Sequence, residues 1–281
     1  MSIFAAVVLA LAAGITEILP VSGTGHLFLL AKLLGVSAGG TEFQSFRAML
    51  YFGAAFGGIL FYHTQLGDML RENLVLLGLA RPATHRRGVP FGRRLGLLLM
   101  MAALPMLPAL LLNGIRARLE QDAGALAFIA LLFCISGAVL YFAARGARGK
   151  RSIHEMTLSD AVYTGLAQIL SLFPGLSRTG FTVSVLLSRG MDCSAAAEFA
   201  GLLGVPVLLG AGLVQLAAAK AGEGSFAAAP YLILGFALSS LASFFTLRVF
   251  TEHMSRRRPT GFAYWSWGAG ILSLILFLIS A

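Results

Sequence analysis

The stretch Glu17-Ile-Leu-Pro-Val-Ser-Gly-Thr-Gly-His26 decides how this chain folds. It sets an acid, two hydroxyls, two glycines, a proline and a histidine inside a very apolar N-terminal region. Lipid offers polar groups no partners, so ionisable residues in such a region are costly and indicate function. A second stretch of this kind, Phe173-Pro-Gly-Leu-Ser-Arg-Thr-Gly-Phe-Thr182, lies about 155 residues later. We interpret the two stretches as halves of one buried polar site.

The composition predicts a polytopic membrane protein. Of the 281 residues, 58% are hydrophobic and only 12% are charged, whereas a soluble domain carries about 25% charged residues. The net charge of +9 comes from basic residues in short loops, where positive charge sets orientation and attracts anionic headgroups. We therefore expect membrane lipids, and no nucleic acid, as partners. Cys134 and Cys193 lie far apart without metal-ligand spacing and are predicted to be unpaired thiols.

Apolar runs of sufficient length predict the membrane spans. Two further apolar regions, 3–34 and 160–189, are interrupted by proline and glycine, and each half is too short to span. Broken helices are tolerated in a membrane only where they face protein or a wet cavity. We therefore predict an all-α integral membrane protein with six transmembrane helices and two re-entrant helix pairs. The predicted spans are 46–63, 95–113, 124–143, 198–219, 230–250 and 261–280.

The distribution of Lys and Arg predicts the orientation. The loops 64–94, 144–159 and 251–260 are the most basic and should be cytoplasmic. Six crossings then place both termini outside. The first re-entrant pair would enter from outside and the second from the cytoplasm. The apolar start, 1–14, has no Lys or Arg before its apolar core, so we interpret it as retained and not as a signal peptide.

The two halves of the chain also match each other. Gly14-Ile-Thr-Glu-Ile-Leu19 matches Gly165-Leu-Ala-Gln-Ile-Leu170, Ser22-Gly-Thr-Gly25 matches Ser177-Arg-Thr-Gly180, and Glu42-Phe43 matches Glu198-Phe199. We predict one membrane domain, 1–281, with repeat 1 at about 1–143, repeat 2 at about 160–281 and the basic loop 144–159 between them. Three spans per unit is an odd number, so the repeat is inverted. Inverted repeats place a shared site near the midplane, at broken helices.

The second stretch suits a phosphate. Ser177, Arg178 and Thr179 follow a Pro-Gly turn and begin an apolar helix, where backbone N–H groups and hydroxyls bind anions. Arg178 adds a permanently charged fork, and Thr182 falls one turn later. The alternative is an arginine whose head reaches the membrane interface.

The first stretch supplies groups that can react. Glu17 can bind a divalent cation or act as a base, and His26 can be base, acid or nucleophile near neutral pH. Ser22 and Thr24 offer further hydroxyls to a phosphate. The structural alternatives are a packed, hydrogen-bonded histidine and a helix-end contact for the acid.

At these residues the chain resembles the bacterial undecaprenyl-diphosphate phosphatase family, also called the bacitracin-resistance proteins. The family's first motif reads roughly Glu-Gly-x-Thr-Glu-Phe-Leu-Pro-Val-Ser-Ser-Thr-Gly-His and stands here as Ala13-Gly-Ile-Thr-Glu-Ile-Leu-Pro-Val-Ser-Gly-Thr-Gly-His26. The second reads roughly Pro-Gly-x-Ser-Arg-Ser-Gly-x-Thr and stands here as Pro174-Gly-Leu-Ser-Arg-Thr-Gly-Phe-Thr182. A further family-like run covers Ala196 to Pro206.

The resemblance implies an enzyme of the bacterial cytoplasmic (inner) membrane that hydrolyses a C55 polyprenyl diphosphate to the monophosphate lipid carrier for cell-wall synthesis. It also implies a divalent cation, Mg or Ca, and an active site toward the periplasmic side. Glu17 would be the metal-linked or basic carboxylate, and His26 the reacting or proton-transferring imidazole. Arg178 would hold the diphosphate, helped by the hydroxyls of the two stretches. A homodimer is left open.

Three positions depart from the family pattern. The first motif glutamate is Ala13 here, the second serine of its Ser-Ser pair is Gly23, and an arginine of the last span is Trp265. Loss of the hydroxyl leaves His26 or a water as nucleophile, with Ser22 as a substitute. The alternative function is a transporter or flippase of polyprenyl phosphate or another anionic lipid, because the inverted repeat is a transporter architecture.

Overall fold

The computed structural model describes residues 1–37, 40–76, 78–79, 91–106, 124–221 and 230–280. Within these ranges the regular structure is helical, apart from an isolated β-bridge between Arg151 and Met191. The helices are α1 (Ile3–Thr16), α2 (Gly23–Leu33), α3 (Thr41–Phe61), α4 (His63–Leu76), α5 (Phe91–Ala103), α6 (Ala125–Gly146), α7 (Leu158–Gln168), α8 (Arg178–Ser188), α9 (Cys193–Ala221), α10 (Pro230–Arg256) and α11 (Thr260–Ser280). Short 3-10 helices cover Ile153–Glu155 and Ile169–Leu172.

Four of these helices are long and apolar enough to cross a bilayer. They are α6, α9, α10 and α11, and their apolar spans are Ala125–Gly146, Cys193–Ala219, Pro230–Arg256 and Thr260–Ile279. This confirms the all-α membrane fold class. The predicted span 46–63 falls on α3, which begins earlier, at Thr41, and ends at Phe61. The predicted span 95–113 begins within α5, and its residues 107–113 lie outside the described part of the chain.

The prediction of a loop over the whole of 64–94 was wrong, because its first part is helix α4. Leu66 and Met69 of this helix lie one turn apart and pack on the largest apolar cluster among the described residues. A partly buried apolar pair at helical spacing explains why this part of the segment forms a helix. Residues 80–90 of the same predicted loop lie outside the described residues.

Both interrupted regions consist of two short helices joined by a break, as predicted. In the first, α1 and α2 flank residues 17–22, and Ser22 adopts a left-handed conformation with φ +68°. In the second, α7 and α8 are joined by a 3-10 turn and by Gly175 at φ +105°. Ser22 and Ser177 cap the second helix of their pair in the same way, because each accepts the N–H three residues later. The orientation in the membrane and the inverted repeat stay predictions.

Close helix packing holds the end of α1 in place. The Ser243 hydroxyl of α10 donates to the Gly14 carbonyl at 3.0 Å, and the Ser239 hydroxyl donates to the Leu50 carbonyl of α3 at 2.8 Å. A Cβ on Gly14 would lie 2.6 Å from the Ser239 backbone carbonyl oxygen, so only glycine permits this approach. Small residues and interhelical hydrogen bonds are the usual means of packing helices in lipid.

An ion cluster holds the α7–α8 pair at its other end. The Asp160 carboxylate, whose side chain is fully buried, accepts hydrogen bonds from Arg151 at 2.7 Å and from Arg189. The carboxylate also accepts hydrogen bonds from the backbone N–H of Thr157 at 2.8 Å and from its hydroxyl at 2.7 Å. These bonds tie the first turn of α7 to the end of α8, so the break between them faces the opposite end of the pair.

Candidate active site

The two helix breaks contact each other directly. The Arg178 guanidinium donates to the Glu17 carbonyl at 3.0 Å, and the Thr179 hydroxyl donates to the same oxygen at 3.4 Å. In the other direction, the Gly175 N–H donates to the Ser22 hydroxyl at 3.1 Å. Residues more than 150 positions apart are therefore joined by three hydrogen bonds, and the predicted pairing of the two stretches is confirmed as a contact.

A small cavity of about 60 Å³, with polar groups set in a largely apolar lining, lies at this junction. Glu17, Thr24 and Arg178 line it, together with Gly23. This volume holds on the order of four water molecules. The cavity therefore presents an acid, a hydroxyl and a fixed cation to a small polar group. Its remaining lining residues are Tyr51, Met106, Ser171, Leu172, Leu176, Val207, Leu208, Ala211 and Gln215.

The Glu17 side chain fills the space that a side chain at Gly23 would occupy. An ideal Cβ built on Gly23 would lie 2.8 Å from Glu17 Cγ, and closer still to its carboxyl carbon and Oε1. The glycine at this position, where the family has a serine, is therefore part of how the carboxylate is placed. Ala13, the other departure of this motif, is fully buried in an apolar cluster with Leu9 and Leu27.

The predicted phosphate-binding hydroxyls mostly bind the protein's own backbone. Ser22 accepts from the Gly25 N–H at 3.4 Å as well as from Gly175. Ser177 accepts from the Gly180 N–H at 3.0 Å, and Thr182 donates to the Arg178 carbonyl at 3.0 Å. Among the predicted hydroxyls, Thr24 is the one that lines the cavity. The others shape the two helix starts in this structure.

His26 lies on the other face of α2. Residues two positions apart on a helix point about 200° apart, so Thr24 and His26 face opposite ways. His26 lines a separate apolar groove of about 510 Å³ between α1, α2 and α11. Its Nδ1 lies 2.8 Å from the Ser22 carbonyl, and its Nε2 accepts from the Trp265 indole N–H at 2.9 Å. The Phe133 ring packs edge-on against the imidazole.

Four functional candidates emerge that the sequence motifs did not indicate. Tyr51, Ser171 and Gln215 are buried and line the polar cavity, and Trp265 binds His26. A signal existed for Gln215, since an amide within the apolar run 207–219 requires a partner in a membrane. Ser171 also lies at the second break. Tyr51 and Trp265 carry no such signal, because aromatic residues are common in membrane helices.

The cavity suits a divalent cation only when a ligand completes its coordination. Among the described residues there is no group of three or more His, Cys, Asp and Glu side chains that could hold a metal ion. Glu17 is the carboxylate of the cavity, beside neutral oxygens. Mg²⁺ is commonly held by one or two carboxylates together with substrate phosphates and waters. Glu17 would therefore hold such a cation only together with a phosphorylated ligand.

Fold and site together define a multi-pass membrane protein in which Glu17 and Arg178 share a cavity between two helix breaks. The chain belongs to the bacitracin resistance protein BacA family, whose family model matches residues 6–272. It is 28% identical to an undecaprenyl-diphosphatase of Carboxydothermus hydrogenoformans, over 98% of each chain. It is 32% identical to one of Anaeromyxobacter sp., over 98% of this chain and 88% of the relative. A relative of the same name from Alkaliphilus metalliredigens is 29% identical over 99% and 100%.

Proposed function

We infer that this chain is an undecaprenyl-diphosphatase, which hydrolyses a C55 polyprenyl diphosphate to the monophosphate and phosphate. The observation that carries this is the cavity where Glu17 and Arg178 meet. Membership of a family whose members bear that name supplies the substrate class. No finding among the comparisons favours the transporter that the repeat left open, so transport is not proposed.

Arg178 holds the terminal phosphate of the substrate. Its guanidinium donates a hydrogen bond to the Glu17 carbonyl on one side. On the other side it packs closely on Gly204, where an added Cβ would lie 3.3 Å from its Nη1. Helix α8 begins at this residue, so its first-turn N–H groups and its dipole also favour an anion. Thr24 completes the phosphate contacts from the opposite helix start. Preorganised donors of this kind would stabilise the negative charge that develops during phosphoryl transfer.

The reaction is the hydrolysis of a phosphoric anhydride. A water oxygen bonds to the terminal phosphorus, the bond to the bridging oxygen breaks, and that oxygen leaves with the prenyl monophosphate. The water proton passes to a base. Glu17 lines the cavity beside Arg178, whereas His26 faces the separate apolar groove and would act on a phosphate that reaches that groove. Ser22 is a poorer nucleophile than the water, because its oxygen already accepts hydrogen bonds from two backbone N–H groups. A cation held by Glu17 and the substrate phosphates would neutralise phosphate charge.

The finer cellular placement is part of the same proposal. The chain is proposed to lie in the bacterial inner membrane with both termini outside and the site open toward the periplasm. The support is the positive charge of the segments 64–94, 144–159 and 251–260, which are helical in part. A homodimer is the proposed assembly, which the family resemblance allows.

The deciding experiment is phosphate release from a C15 or C55 diphosphate by purified protein in detergent. Arg178→Ala and His26→Ala are each expected to lower kcat/KM by at least about a hundredfold, as losses of charged phosphate contact and of proton transfer do. The matched controls are Arg248→Ala on the exposed face of α10 and His63→Ala at the start of α4. Activity unchanged in both site variants would refute the assigned site, and lipid movement in liposomes without phosphate release would refute the function.

A further inference from the structure

Both ring nitrogens of His26 are engaged in this structure. The Trp265 indole N–H donates to Nε2 at 2.9 Å, and Nδ1 lies 2.8 Å from the Ser22 carbonyl. An indole nitrogen is a donor only, and a carbonyl oxygen is an acceptor only. The one arrangement that satisfies both bonds is a neutral imidazole with its proton on Nδ1 and its lone pair on Nε2. An imidazolium, which has protons on both nitrogens, would face the indole N–H with a second donor.

The described neighbours of His26 in this groove carry no charge and do not titrate near neutral pH. Phe133 from α6 and Ile15 and Thr16 from α1 contact or line the same groove, and none of them is ionisable. The ionisable groups of the site, Glu17 and Arg178, line the cavity on the other face of α2. The Cys134 thiol of α6 faces Gly270. Trp265 is therefore the side chain that hydrogen-bonds the reactive nitrogen directly.

We propose that Trp265 is a positioning residue, which holds His26 as the neutral tautomer with Nε2 as its proton-accepting nitrogen. This rests on the proposed function, in which either nucleophilic attack or proton acceptance by His26 requires a neutral imidazole. Trp265 itself is 61% exposed at the rim of the apolar groove. Its ring can therefore turn away from Nε2 without unpacking a core, which exposes the lone pair.

The chain offers a matched pair of variants for the test. Its two tryptophans both lie in α11, and the Trp267 indole N–H also makes one hydrogen bond, at 3.1 Å to the Cys134 carbonyl. Trp265→Phe and Trp267→Phe each keep an aromatic ring and remove one N–H donor. Only the first removes a donor from His26.

The pH dependence of phosphate release is the first readout. A neutral hydrogen bond contributes about 0.5–1.5 kcal/mol, and one pH unit corresponds to about 1.4 kcal/mol. In Trp265→Phe the acidic limb of the kcat/KM profile should therefore move upward by about half to one pH unit. KM at the optimum should stay within about twofold, since the phenyl ring still lines the groove. Trp267→Phe should reproduce the wild-type profile. An unmoved limb in Trp265→Phe, or an equal shift in both variants, would overturn the proposal.

The second readout does not depend on activity. It can therefore show whether Trp265 positions His26 even if the protein proves not to be a phosphatase. 15N NMR of histidine-labelled protein in detergent reports the tautomer of each imidazole, and His26→Gln identifies the His26 signals. The wild-type spectrum should show the Nδ1–H tautomer at neutral pH, and Trp265→Phe should titrate at higher pH than wild type. A wild-type Nε2–H tautomer overturns the proposal without recourse to any variant, whether or not Trp265→Phe folds.

Discussion

Replacement of Gly23 by alanine tests the placement of the Glu17 carboxylate. The added Cβ would lie 2.8 Å from Glu17 Cγ and nearer to the carboxyl group, whereas an ordinary contact needs at least 3.4 Å. The carboxyl group must therefore withdraw by about 1 Å, and a displacement of this size at a reacting group lowers rates by about a hundredfold. Overpacking of a tight site lowers the free energy of unfolding by about 1–3 kcal/mol.

The assay is phosphate release in detergent, with thermal unfolding measured on the same preparations. We expect Gly23→Ala to lower kcat/KM by about tenfold to a hundredfold. Gly23→Ser adds the same Cβ and therefore displaces the Glu17 carboxyl group in the same way. Restoring the hydroxyl by this single substitution should not raise activity above wild type. Gly261→Ala is the matched control, because it also lies near a helix start and its Cβ meets nothing within 4 Å. Equal activity and stability in the Gly23→Ala and Gly261→Ala proteins would refute the reasoning.

Three further predictions concern neighbouring features. Ala13→Glu places an acid in a fully buried apolar position and should lower the free energy of unfolding by about 3 kcal/mol or more; a thermal midpoint equal to wild type would contradict this. Asp160→Asn removes the charge that binds Arg151 and Arg189, and should lower that free energy by about 2 kcal/mol, with a smaller effect in high salt. Chelation should stop phosphate release, and Glu17→Gln should raise the Mg²⁺ or Ca²⁺ concentration needed for half-maximal rate; chelator-resistant activity would exclude the cation.

Much of the fold was predictable because its signals are local. An apolar run of 20 residues can hardly be other than a spanning helix, and four such runs became α6, α9, α10 and α11. Proline and glycine end helices through their own backbone geometry, so both breaks were also predicted. Helix α4 was missed because its stripe of Leu66 and Met69 is narrow and surrounded by polar residues.

The candidate site was predictable only in part. Arg178 and Glu17 were expected together, and they share a cavity. His26, expected in the same cluster, lies on the opposite face of α2 because it is two helical positions from Thr24. The spacing that puts these residues into one motif therefore also separates their side chains once the helix forms.

The sequence by itself determined the class of protein, the two helix breaks and the pairing of the motifs. The class and the breaks depend on residue types, and the pairing depends on a match within the chain. None of these signals requires knowledge of which helices pack together. Only the tertiary structure decided that Glu17 lies over Gly23, that Tyr51 and Gln215 line the cavity, and that Trp265 binds His26. These contacts join helices far apart in the chain. Their geometry follows from how helices rotate and approach one another, which the order of residues does not record locally.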